Sequence, residues 1–153
     1  MKKVFLLLIS VLTLSCADNS ISIPDDNDST TDIDYDSINE TAILTYLSTN
    51  ELTAEKTTSG LYHIITSQGD GEAPDASSNV TLDYVGYFLD DTIFDQGNNI
   101  TFNLSNVVIG FSEGVQLIGE RGSGTFILPS RLAYGTSGQG IIPPGEVIVF
   151  DIN

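Results

Sequence analysis

Histidine occurs once, as His63, cysteine once, as Cys16, and tryptophan not at all in these 153 residues. One cysteine allows no intramolecular disulfide and no thiolate metal cluster. One histidine excludes a multi-histidine metal site, and a Ser-His or Cys-His triad would have to be built on His63 alone. No acidic orienter or nucleophile lies near it in sequence, so His63 reads as structural or solvent-facing. Bases are scarce as well: five against 21 acids, a formal charge of −16 at pH 7. That balance argues against nucleic-acid binding, which needs lysines and arginines to displace counterions from phosphates. An anionic membrane surface is an equally poor electrostatic partner. The glycine-rich stretches Gly122-Ser123-Gly124 and Gly135 to Gly140 spell no P-loop, dinucleotide fingerprint or nucleophile elbow, and read as turns.

What is present begins with a leader. Met1-Lys2-Lys3 precedes a nearly unbroken apolar run, Val4 to Leu14, and then Ser15-Cys16. This is the signal-peptide pattern, and the run falls well short of the ~20 residues of a membrane span. The small residue before Cys resembles a bacterial lipoprotein signal in residues 1–16, with Cys16 as the lipidated first residue of the mature chain. Thr13 stands where such signals usually carry Leu. From Ala17 to Glu40 come eight acids and no base, with few apolar residues. Residues 17–36 therefore read as a self-repelling, disordered tether. Asp32-x-Asp34-x-Asp36 begins like a calcium loop but lacks the glycine and the closing glutamate, and reads as a solvated charge run.

Residues 37–59 read as a short helix and linker. Ser37 and Glu40 fit a capping box, and Ile38, Ala42, Ile43, Tyr46 and Leu47 follow helical spacing towards Asn50. The apolar stripe is expected to pack on the following domain rather than pair two chains. After Gly60 the period shortens to two. Leu61–Ile65, Val80–Val85, Ile100–Leu104, Thr125–Leu128 and Val147–Ile152 read as strands, and Gln68–Ser78 as a loop. Phe111, Val115 and Ile118 make one short amphipathic helix from near Gly110. The pattern implies an α+β domain over residues 60–153, a twisted, mostly antiparallel sheet wrapped around one short α-helix.

Five segments in order then carry a resemblance: Val80 to Tyr87 (VTLDYVGY), Thr92 to Asp95 (TIFD), Val107 to Leu117 (VVIGFSEGVQL), Leu132 to Gly135 (LAYG) and Gly140 to Asp151 (GIIPPGEVIVFD). Together they resemble the FK506-binding-protein (FKBP) family of peptidyl-prolyl cis-trans isomerases, of an exported bacterial lipoprotein type. The resemblance implies an FKBP-like fold and a shallow aromatic pocket between helix and sheet. Its floor would be Phe111, where the family usually has Trp. Its walls would be Tyr84, Phe94, Val107, Val108, Ile142 and Phe150, with Asp95 and the Tyr134 hydroxyl as polar groups and the Val108 N–H as donor to a substrate carbonyl. Ile100, Gln139 and Ile141 would form the rim. It implies no cofactor and no metal, Pro-containing polypeptide clients, FK506-like macrolides as candidate ligands, and a domain held in the bacterial envelope, at the membrane only through a lipid on Cys16. The rim between Asp95 and Phe102 is short against the family pattern, Gln139 stands where a stacking side chain is common, and the last strand stops at Ile152-Asn153. A chaperone or binding module of the same fold with little turnover is the second reading. A structural lipoprotein, which would need no pocket, is the third.

Overall fold

Alternation of apolar and polar residues after Gly60, and a four-residue repeat before it, set the architecture. In chain order the elements are α1 (Tyr35–Thr49), β1 (Glu55–Lys56), β2 (Tyr62–Ser67), β3 (Asn79–Phe88), β4 (Ile93–Asn103), α2 (Ile109–Val115), β5 (Ser123–Leu128) and β6 (Ile148–Ile152). The computed structural model describes residues 33–153. The expected leader, Cys16 and all but the end of the expected tether lie outside them. The strands form one antiparallel sheet in the order β1-β2-β5-β6-β3-β4. This is the α+β architecture that the patterning implies. Among the described residues no helix is long and apolar enough to cross a membrane.

The sheet buries both faces. The inner face carries α2: Phe111, Val115 and Ile118 meet Phe126, Leu128, Ile148, Phe150 and Ile152. The outer face is covered by α1, whose Ile43 and Leu47 pack with Tyr62, Ile127, Val147 and Val149. Strict alternation along β6 feeds both layers, Ile148, Phe150 and Ile152 inward and Val147 and Val149 outward. His63 lies on β2 opposite Phe126, with its Nδ1 buried and unpaired.

Three details depart from the sequence pattern. Helix α1 starts at Tyr35 because Asp34, not Ser37, is its cap. The Asp34 carboxylate accepts the Ser37 N–H at 3.1 Å and the Ser37 hydroxyl at 2.6 Å. With that start the buried stripe is Asn39, Ile43 and Leu47, and Ile38 is left half exposed. Strand β4 begins at Ile93, earlier than Ile100, because two bulges let one long strand absorb residues that break alternation. Strand β1, two residues long, is too short for any periodicity to signal.

Candidate functional site

The site begins as a cluster of rings. Inner-face alternation on β3 presents Tyr84 and Phe88, β4 supplies Phe94 and Phe102, β6 Phe150, and the first turn of α2 Phe111. Phe111 and Phe150 meet edge to face at 5.0 Å, Phe102 and Phe111 at 5.6 Å, Phe94 and Phe150 at 5.7 Å, and Tyr84 and Phe102 at 5.4 Å. Such perpendicular contacts set a positive ring edge against a negative ring face. Gly86 makes the packing feasible. A Cβ there would fall 2.7 Å from Phe94 Cζ and 2.9 Å from Phe150 Cε1.

These rings stop short of filling the space between sheet and helix. They leave a cavity of about 430 Å³ lined by Tyr84, Asp95, Phe102, Asn106, Val107, Val108, Phe111, Tyr134, Gln139 and Phe150. Eight of these ten are residues the resemblance assigned. Phe102 and Asn106 were not foreseen. Phe102 shares its strand face with Ile100, two residues before it, and pairs with Val80 where Ile100 pairs with Leu82. Asn106 comes from the 3₁₀ turn Leu104–Asn106 that leads into α2.

Four assigned residues do not line the cavity. Phe94 stands behind it, its ring against Phe88 and Phe150. Ile142 is buried in the core. Ile100 lies over Gly97, outside the cavity. Ile141 caps the tight hairpin in which Gln139 and Ile142 exchange backbone hydrogen bonds at 2.9 Å, and it lines a separate surface cleft with Phe88, Leu89 and Pro143.

One bulge explains how Phe94 and Asp95, neighbours in sequence, both serve the inner side. Gly86 pairs with Asp95 and Tyr87 with Ile93, so Phe94 is the extra residue. Asp95 thereby reaches the cavity mouth, where Oδ2 accepts the Tyr84 hydroxyl at 2.7 Å and Oδ1 the Gln96 N–H at 2.9 Å. Burial, reinforced by that hydrogen bond and the carboxylate's charge, pushes the Tyr84 hydroxyl up to about 12. Tyr134 is also raised, first by burial and then by the Asp95 charge. No group among the described residues hydrogen-bonds the Tyr134 hydroxyl, and none accepts the Val108 N–H, which sits in extended backbone at the start of α2. The cavity therefore has apolar walls, one carboxylate occupied by a phenol, one free phenol and one free amide. It offers no nucleophile with an adjacent base.

The sequence profile of the family described as FKBP-type peptidyl-prolyl cis-trans isomerase matches residues 70–153. Curated relatives are similar over about a hundred residues. A probable FKBP-type isomerase, FkpA, of Neisseria meningitidis is 46% identical over 63% of this chain and 37% of its own length. FkpA of Aeromonas hydrophila is 41% identical over 64% of this chain and 38% of its own. The chain thus spans less than two-fifths of the length of these relatives. Among solved structures, Escherichia coli FkpA matches with a TM-score of 0.69 and 30% identity over 76% of this chain and 58% of that one. An isomerase from Pseudomonas syringae pv. tomato matches at 0.67 and 28% over 76% and 91%.

Proposed function

The chain belongs to the FKBP-type peptidyl-prolyl cis-trans isomerase family, and from that premise we propose that it catalyses rotation about Xaa-Pro bonds in polypeptide clients within the ring-walled cavity. Rotation is opposed by amide resonance, a barrier of about 18–20 kcal/mol. The planar amide places charge on its oxygen and is better solvated by water than the twisted amide. A cavity walled by Tyr84, Phe102, Phe111 and Phe150 removes that water and so favours the twisted form. The Tyr134 hydroxyl and the Val108 N–H hold the flanking carbonyls. Asp95 keeps the Tyr84 ring in place through its hydrogen bond, and the rings grip the proline. No covalent intermediate enters the scheme.

The observation that carries this reading is the pairing of an apolar cavity with two polar groups at its edge, Tyr134 and the Val108 amide, that no described residue engages. The test is the cis-to-trans rate of a short Xaa-Pro peptide, whose uncatalysed reaction takes about 10–100 s. Acceleration that drops in Tyr134→Phe and Asp95→Ala supports the proposal, and none from the folded chain overturns it.

A binding module is the second reading, favoured by Ile109, next in sequence to the cavity-lining Val108, and Ile141 in the separate cleft, which are 67% and 70% exposed. Such isoleucines would hold extended apolar segments whether or not rotation is fast. FK506-like macrolides would enter the same cavity, over a floor reduced by Phe111 in place of Trp. The leader and acidic stretch support attachment to a bacterial envelope through a lipid on Cys16, which labelled fatty acid incorporation lost in Cys16→Ser would test.

A further inference from the structure

The helix ahead of the family-matched residues reaches the loop that carries Tyr134. Asn39 of α1 is 2% exposed. Its Nδ2 donates to the Gly145 carbonyl at 2.8 Å, and its Oδ1 accepts the Ser130 N–H at 2.7 Å. The loop closes the rest of the circuit, since the Gly145 N–H donates to the Gly135 carbonyl at 2.9 Å and the Gly135 N–H to the Ser130 carbonyl at 2.7 Å. Four residues thus form a ring of hydrogen bonds around the base of the segment 130–145, and three of the four belong to that segment. Tyr134 directly precedes one member, and Gln139 lies within the span. A second contact reinforces the first. Gly145 has φ +74°, and a Cβ on it would fall 1.8 Å from the Tyr35 ring, so the start of α1 is seated on the same turn.

We propose that Asn39 is a positioning residue for catalysis: by closing this ring it fixes the segment that places the Tyr134 hydroxyl at the cavity. The inference rests on the isomerase reading given above. Its chemistry is that of a primary amide used at both ends. The amide satisfies one donor and one acceptor that the buried loop base otherwise leaves open, and no side chain without both a donor and an acceptor can do this.

The experiment compares Asn39→Ala, Asn39→Asp and Leu47→Ala in the purified chain. Leu47→Ala loosens the packing of the same helix without touching the ring. For Asn39→Ala, kcat/KM towards an Xaa-Pro peptide is expected to fall by up to about tenfold, no more than removal of the Tyr134 hydroxyl itself, mostly in kcat. Asn39→Asp, which keeps the acceptor and loses the donor, is expected to fall between. Leu47→Ala at the same folded fraction is expected to leave kcat/KM unchanged. Adding Tyr134→Phe to Asn39→Ala should cost little further, because the hydroxyl is already misplaced. Equal losses in Asn39→Ala and Leu47→Ala, or full additivity with Tyr134→Phe, overturn the proposal. Amide exchange of Ser130, Gly135 and Gly145 decides the clamp without turnover. Protection lost there but retained in β5 supports it, and unchanged protection overturns it. A wild-type chain without activity would refute the isomerase reading, leaving amide exchange to judge the ring.

Discussion

The two faces of the sheet use the same residue types to opposite ends. The outer face has Tyr46, Tyr62 and Tyr87, and the inner cavity Tyr84 and Tyr134. Outside, the Tyr62 hydroxyl ties α1 to β2, and the Tyr87 hydroxyl ties β3 to β6. Tyr62 donates to Glu40 at 2.7 Å, Lys56 bonds the same carboxylate at 2.6 Å, and Lys56 stands 5.0 Å over the Tyr62 ring. Tyr87 donates to Asp151 at 3.3 Å, and Asp151 also accepts from Thr125 at 2.6 Å. Burial, followed by the Asp151 charge, raises Tyr87 strongly. Inside, Tyr84 is held by Asp95, while Tyr134 has no partner among the described residues. Among the described residues, the covered face engages the Tyr62 and Tyr87 hydroxyls, while the cavity engages Tyr84 and leaves Tyr134 open.

The largest way to blur that contrast is Phe150→Ala. The ring is buried against Phe94, Phe111 and Tyr84 on a central strand, so its loss should cost about 3–5 kcal/mol of stability as well as turnover. Chemical denaturation read beside the peptide assay separates the two losses. Leu47→Ala sharpens the contrast from the other side: about 2–5 kcal/mol lost, with turnover per folded molecule unchanged. Tyr134→Phe should do the reverse. Stability should stay within about 0.5 kcal/mol, while kcat/KM falls roughly tenfold, the worth of one hydrogen bond of ~1 kcal/mol or slightly more.

Asp95→Ala probes the inner phenol that is engaged. Titrating tyrosine absorbance should show the Tyr84 transition moving down from about 12 towards, but not reaching, its ordinary 10.0, because burial is the leading cause of the shift. A transition that stays put would remove Asp95 as its partner. The smallest effect lies outside. Glu40 is held below its usual range, first by the hydrogen bond from Lys56 and then by that from Tyr62. A carboxylate with a depressed folded-state value adds stability above its unfolded value, near 4.5, and loses it as pH falls through the folded value. Glu40→Gln should therefore flatten the acid side of a melting-temperature profile and change little below it. The side chain is 41% exposed, so solvent screens the pair and the change is small.

Legibility in the sequence followed local parity. Strict alternation marked β3, β5 and β6 and the inward Phe150, and the i, i+4, i+7 spacing marked α2. Bulges defeated the rest. A single extra residue at Phe94 puts two neighbours on one face, which no local pattern announces. The helix cap moved because Asp34 and Ser37 are both good caps three residues apart, and packing of Asn39, Ile43 and Leu47 selects the earlier one. The buried asparagine was unreadable for a different reason: its partners lie 91 and 106 residues away.

Among the described residues strand β4 is an edge, paired with β3 alone. An edge strand of eleven residues is a template on which another extended chain can add. Here the edge is spoiled twice, by its bulges and by Asn99, turned to φ 56° with its N–H taken by the Asp83 carboxylate at 2.6 Å. The ladder that would nucleate co-aggregation is broken at its centre. The irregularities that aim side chains into the cavity also break up this edge.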